Sequence, residues 1–320
     1  MTTNARSMVR RALYGRDDGR LRATWRVVLS FAMFLGTLVA ASSLLGRVPF
    51  PEVLVNADST LAVCLGVTVL LVVGTRFVAR RSLTGYGLAL DRRWWLDAGA
   101  GLLAGFVFQA LVTALLFAFG SARVIGTLSP GIGTDVVSVA IAFGATLCAM
   151  VAVALWEELL FRGVLVQNTL EGLAARGVDR RTAVVVALVG SALVFGLLHA
   201  TAVAEGASVG WAVFQAVVAG LYFGLAYVLT DSLAFPIALH FSTNFWVVSV
   251  FGQPDSAFPA LLRLERDLQA DPAGIAAGLL PTVVLVGLIL GWVSLTRGEL
   301  SVADSLSRPP SDTLDETLAD

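Results

Sequence analysis

Apolar residues in this chain run in long, nearly unbroken stretches, and polar residues collect between them. Stretches near 25–46, 60–79, 97–119, 136–168, 183–205, 211–230, 233–251 and 275–295 each offer about the 20 residues that a helix needs to cross roughly 30 Å of hydrocarbon. The pattern predicts eight membrane-spanning helices. The fourth stretch is longer than one crossing requires, and the seventh opens near Pro236, which suits a first helical turn. The segment following the seventh stretch carries the charge pattern RLERD (263–267), which reads as a short surface helix with a solvated face.

Composition agrees with the periodicity. Hydrophobic residues make up 57% and charged residues 14%, with a mean hydropathy of +0.82, against roughly 25% charged residues in an ordinary soluble domain. The fold class is therefore all-α, a polytopic membrane bundle of about eight transmembrane helices. Residues 1–23 are polar and Arg-rich and read as a mobile N-terminal segment; 24–297 form one membrane domain; 298–320 form an acidic, disordered tail. The first apolar run is too long, and starts too far from Met1, for a typical cleaved signal sequence.

The net charge of −1 says little, but the distribution of the basic residues says more. All 22 are Arg. With the N-terminus inside, 17 of them fall on the inner loops and flanks, whereas the outer loops hold only Arg47, Arg123, Arg263 and Arg266. This asymmetry places both termini in the cytoplasm of a multi-pass cell-membrane protein. Because these residues are spread along membrane flanks and form no single basic stripe, nucleic-acid binding is excluded as the leading reading. Trp25, Trp94 and Trp95 read as interfacial anchors. Cys64 and Cys148 sit in apolar spans and support neither a disulfide framework nor a Cys-based metal site. Gly101/Gly105, Gly220/Gly224, Gly274/Gly278 and Gly287/Gly291 have small-xxx-small spacing, read first as packing within the chain and second as a homodimer face.

Against this background the ionisable residues inside spans stand out, since each is costly there and usually marks function. Glu157 and Glu158 lie in WEELLFR, His199 in FGLLH and His240 in HFSTN. Glu158 and Arg162 are four apart and share a helical face, with Glu on the favourable N-terminal side, so they can neutralise each other as a supporting ion pair. Glu157 is turned about 100° away and can face a cavity. Phe195 shares a face with His199, and His240 shares one with Asn244. A carboxylate base, a nearby imidazole and two further donors are the parts of water-mediated amide hydrolysis: Glu157 with His199 for the water, His240 with Asn244 for the oxyanion. Gln109, Gln167, Asn168 and Gln215 are further polar candidates for the cavity lining.

Depth sets a condition on this constellation. Were span four to end near residue 156, Glu157 would lie at its inner end and His199 near the outer end of span five, and the two would not meet. Centred near Glu157, with span five over about 183–205, span four leaves His199 roughly 7–8 Å past the centre of its own span, within reach of side chains and tilt. The groups would then line a cavity opening to the cytoplasm.

The three patterns, in this order on separate spans, resemble the motifs of the CAAX-protease and bacteriocin-processing (CPBP) family of intramembrane proteases: paired Glu with Arg four after the second, Phe-x-x-x-His, and His-x-x-x-Asn. The motif core covers 140–250. The resemblance implies a polar intramembrane cavity, Glu157 as base acting with His199, and His240 with Asn244 as the oxyanion site. It implies as substrate a peptide or lipid-anchored protein, CAAX-type prenylated proteins included, with membrane lipids as surroundings. A metal-dependent version, with Zn on Glu157, His199 and His240, is the alternative; the HExxH spacing is absent and no metal is favoured. From a different class, the same Glu and His could form the relay of a proton-coupled transporter or sit in a catalytically silent immunity protein. The chain has no clear inverted repeat of the kind transporters carry.

Overall fold

The computed structural model describes residues 8, 10–15, 19–54, 56–129, 135–200, 208–254, 256, 258–266, 272–303 and 306. Much of the N-terminal segment and most of the acidic tail lie outside these residues. The protein is a helical bundle built from α1 (Ala23–Leu45), α2 (Ala57–Ala79), α3 (Arg92–Ala118), α4 (Val136–Ala174), α5 (Arg180–His199), α6 (Val209–Thr230), α7 (Ala234–Val250) and α8 (Pro272–Arg297). Seven of these are long and apolar enough to cross a membrane; α7, the remaining one of the eight predicted, is shorter. Its 17 residues give a length of roughly 25 Å at 1.5 Å per residue.

Local sequence sets where several helices begin. Asp91, Asp135, Asp179 and Ser208 precede α3, α4, α5 and α6, and each accepts a backbone N–H of the first turn through its side chain. Such caps satisfy donors that the helix itself leaves unpaired.

Close helix contacts rest on glycine. A Cβ at Gly101 would stand 2.3 Å from the carbonyl oxygen of Phe235, and one at Gly105 would stand 2.7 Å from Cβ of Ser242. These two positions let α3 lie directly against α7. Gly220 and Gly224 of α6 similarly face Ala192 and Leu188 of α5, whereas Gly287 and Gly291 of α8 meet nothing within 4 Å. The core between helices is apolar, with Phe34, Leu159, Leu160, Phe161, Tyr227 and Leu233 among its most buried side chains.

Three features bear on the sequence expectation, the first and third by departing from it. First, the RLERD region does not form a helix: Ala260–Arg266 is a strand, β3. It pairs antiparallel with β1 (Ala122–Ser129) and parallel with β2 (Phe251–Gly252), in the order β1-β3-β2. Arg123 and Glu265 face each other across β1 and β3 as an ion pair. The partner strand lies far away in sequence, and long-range pairing of this kind overrides local helical preference. Second, α4 is continuous over 39 residues, and its midpoint, residue 155, lies two residues from Glu157. Helix α4 therefore reaches well past Glu157 in both directions. Third, α5 stops at His199, short of the expected 205, and residues 201–207 lie outside the described set.

Candidate active site

Glu157 and Glu158 close the first α-helical part of α4, and the chain continues as a π-helical stretch, Leu159–Val166, before α-helix resumes over Gln167–Ala174. Such stretches recur at functional sites because they re-aim side chains within one helix. Here the widened turn carries Arg162, whose side chain is wholly buried beside an equally buried Glu158. Arg162 donates to Glu158 Oε1 at 3.1 Å and to the carbonyl oxygen of Gly220 at 3.0 Å. Its guanidinium carbon also lies 4.9 Å from the ring centre of Phe195 and 5.2 Å from that of Phe223. A charge taken out of water needs such a shell of partners, and removing one from a buried pair typically costs about 3–5 kcal/mol.

His240, in the second turn of α7, is held by three elements. Its Nδ1 is 2.8 Å from Oε1 of Glu158, on α4. Its ring stacks on Phe223 of α6, with centroids 4.7 Å apart and planes 20° from parallel. Gly105 of α3 lets the backbone of α7 come close at Leu239 and Ser242. The Glu158 carboxylate accepts from both Arg162 and His240, so Nδ1 of His240 carries a proton.

His199 is the last residue of α5. Its Nδ1 lies 2.8 Å from the carbonyl oxygen of Phe195, four residues earlier. A carbonyl oxygen can only accept, so Nδ1 is the protonated nitrogen and Nε2 is left to face the site. Phe195 also packs beside the ring, with centroids 4.4 Å apart.

Both Nε2 atoms turn toward Glu157. Oε2 of Glu157 lies 4.0 Å from Nε2 of His199 and 3.8 Å from Nε2 of His240. The same oxygen is buried and has no hydrogen-bond partner among the described residues. The site grades from sealed to open: the Glu158 and Arg162 side chains are 0% exposed, Glu157 10% and His199 38%. Asn244 lies one turn after His240 on α7 and is half-buried.

The structure thus brings Glu157, Glu158, Arg162, His199 and His240 into one cluster, with Asn244 on the same helix as His240. Sequence reasoning missed the bond between His240 and Glu158, because residues 82 positions apart on different helices carry no spacing signal. Phe223 was also missed; it is one aromatic residue among many in an apolar span. Two polar residues suggested as cavity lining are used elsewhere: Gln167 donates to the carbonyl oxygen of Gly85, and Asn168 to that of Val164.

Neighbouring ligands on tetrahedral Zn, with bonds of about 2.0–2.1 Å, stand roughly 3.3 Å apart, and the pairs at Glu157 are wider, 3.8 and 4.0 Å. Among the described residues no group of three His, Cys, Asp or Glu has the spacing to hold a metal ion.

Residues 139–246, which contain every member of this cluster, match a family model described as type II CAAX prenyl endopeptidase Rce1-like. No curated protein and no solved structure matches the chain.

Proposed function

We propose, from the membership of residues 139–246 in the Rce1-like family of type II CAAX prenyl endopeptidases, that this multi-pass membrane protein hydrolyses a peptide bond of a peptide or membrane-anchored protein with water activated by Glu157. The observation that carries the reading is the convergence of two imidazole Nε2 atoms on one buried carboxylate oxygen, at 3.8 and 4.0 Å. Separations near 4 Å leave room for a bridging water about 2.8 Å from each neighbour, with an angle near 90° at its oxygen.

With Nδ1 bonded to Glu158 Oε1 at 2.8 Å, His240 keeps Nε2 turned toward the site, and in its imidazolium form Nε2 donates to an oxyanion while Glu158 stabilises the ring from behind.

Glu157 takes a proton from the water as its oxygen bonds to the substrate carbonyl carbon, and His199 Nε2 accepts the water's other hydrogen bond and fixes its direction. Negative charge develops on the carbonyl oxygen, facing His240 and the Asn244 amide. Glu157 returns its proton to the departing nitrogen as the C–N bond breaks, leaving a carboxylic acid and an amine, which separate as carboxylate and ammonium once the remaining hydroxyl proton passes to the amine. Each of these steps uses groups of this chain alone.

The test is cleavage of a prenylated CAAX-type peptide by purified protein. Glu157→Gln and His199→Ala should each lose roughly 10²–10⁴-fold in rate; folded variants that cleave as fast as the parent protein sink the reading.

A further inference from the structure

Phe223 lies outside all three sequence motifs, yet it touches two members of the cluster. It sits on α6, is 2% exposed, and stacks on the His240 ring with centroids 4.7 Å apart and planes 20° from parallel. The Arg162 guanidinium carbon stands 5.2 Å from the centre of the same phenyl ring. Three residues earlier on α6, the Gly220 carbonyl oxygen accepts from Arg162 at 3.0 Å. Residues three apart share a helical face, so one face of α6 meets both the ion pair and the imidazole. Gly220 brings that face in: a Cβ there would stand 2.7 Å from Cα of Ala192, on α5.

The bond to Glu158 does not by itself aim the His240 ring. It fixes the distance from Nδ1 to Oε1, 2.8 Å, while the last side-chain torsion of a histidine is broad and lets the ring tilt about such a contact. Nε2 lies on the far side of the ring, sweeps furthest in a tilt, and is the atom that faces Glu157 Oε2 at 3.8 Å. A flat partner removes this freedom. Phe223 covers one face of the imidazole, and Phe195 meets it at 75° with centroids 6.2 Å apart. His199 is held differently, tilted 42° against Phe195 and 38% exposed. An aliphatic side chain in place of Phe223 would fill space without a flat surface, and without the electron-rich face that also attracts the Arg162 cation.

Resting on the peptidase reading above, we propose that Phe223 is a positioning residue for the reaction: its ring sets the plane of the His240 imidazole and so aims Nε2 at the oxyanion. A bond to an oxyanion strengthens as the transition state forms. Loss of the aromatic face therefore lowers kcat and leaves KM in place.

Ring order can be read without turnover. The chain has two histidines, so full-length protein carrying His199→Ala and ring-¹³C-labelled histidine reports on His240 alone. Relaxation of its ring C–H groups should give an order parameter near that of rigid structure, roughly 0.85, falling below about 0.6 when Phe223→Leu is added; an unchanged order parameter overturns the proposal. In protein with His199 intact, Phe223→Leu should lower kcat for a prenylated CAAX-type peptide by about 10–10²-fold, short of the 10²–10³-fold that loss of an oxyanion donor costs, with KM within twofold. On a His240→Gln background the same change should have no further effect on kcat, whereas losses that multiply overturn the proposal. Phe108→Leu, at a phenyl ring that packs on Tyr222 with centroids 5.8 Å apart, is the control for loss of a core aromatic and should leave ring order and kcat as in the parent. Phe223→Met repeats both measurements should Phe223→Leu not fold. A ring that loses order as expected in a protein that cleaves nothing sinks the peptidase reading and leaves the positioning standing; an active enzyme in which Phe223→Leu keeps the parent kcat sinks the positioning alone.

Discussion

His240 is bonded through Nδ1 to Glu158 at 2.8 Å, so the second glutamate of the adjacent pair holds an imidazole as well as an arginine. The two glutamates differ in surroundings accordingly. Each keeps one buried oxygen, Oε2, without a hydrogen bond among the described residues, but Oε1 of the sealed Glu158 is bonded to Arg162 and His240, whereas Oε2 of Glu157 has only the two imidazole Nε2 atoms at 3.8 and 4.0 Å.

Substitution should separate them. Glu158→Gln leaves the Arg162 guanidinium buried without its counter-charge, and thermal or denaturant unfolding in detergent should show a loss of about 3–5 kcal/mol together with loss of cleavage. Glu157→Gln should leave the unfolding midpoint close to that of the parent and lower the cleavage rate alone. Equal destabilisation by the two changes contradicts the division of labour.

Chelation addresses the alternative chemistry. Stringent chelation should leave peptide cleavage unchanged, and the purified protein should contain no stoichiometric transition metal. Loss of activity on chelation, restored by Zn, transfers Glu157, His199 and His240 to a metal-bound role.

Packing of α3 on α7 should tolerate no side chain at Gly101. A Cβ there would meet the Phe235 carbonyl oxygen at 2.3 Å, so Gly101→Ala should destabilise by about 1–3 kcal/mol as the backbones separate. Cleavage should fall with it, since α7 carries His240. Gly287→Ala, at a position with nothing within 4 Å, is the matched control and should change neither property.

Asp179, which caps α5, gives a pH prediction. A hydrogen bond from the Thr182 hydroxyl, and then one from the Thr182 backbone, holds its carboxyl below the usual carboxylate range. A depressed folded-state value means the cap contributes fully at neutral pH and is lost as pH falls through and below about 4. The difference in unfolding temperature between the parent and Asp179→Ala should be constant from pH 8 to about 5 and shrink at lower pH. A difference that grows on acidification contradicts the assignment.

Much of this molecule is legible in the sequence because the bilayer enforces simple rules. Long apolar runs give the helices, and isolated Glu and His within them give the site. The motif spacings place Glu158 beside Arg162 and His199 one turn after Phe195, both as found. What the sequence does not carry is contact across long separations: the pairing of Ala122–Ser129 with Ala260–Arg266, and the meeting of Glu158 with His240. The end of α5 at His199 was also hidden, since the apolar composition continues into the residues that follow.

The π-helical stretch Leu159–Val166 has a consequence for the whole of α4. It lies between two charge clusters on one helix, Glu157 and Glu158 on one side and Glu171 with its three arginines on the other. A regular α-helix advances 100° per residue, so the widened turns set the angle between the two clusters and act as a phase adapter along the rod. Deleting one residue from 163–166, the part of this stretch that follows WEELLFR, would leave every span hydrophobic and every motif intact. It would also rotate one cluster against the other by about a quarter turn, so that either the two glutamates lost His240 or Glu171 lost its arginines.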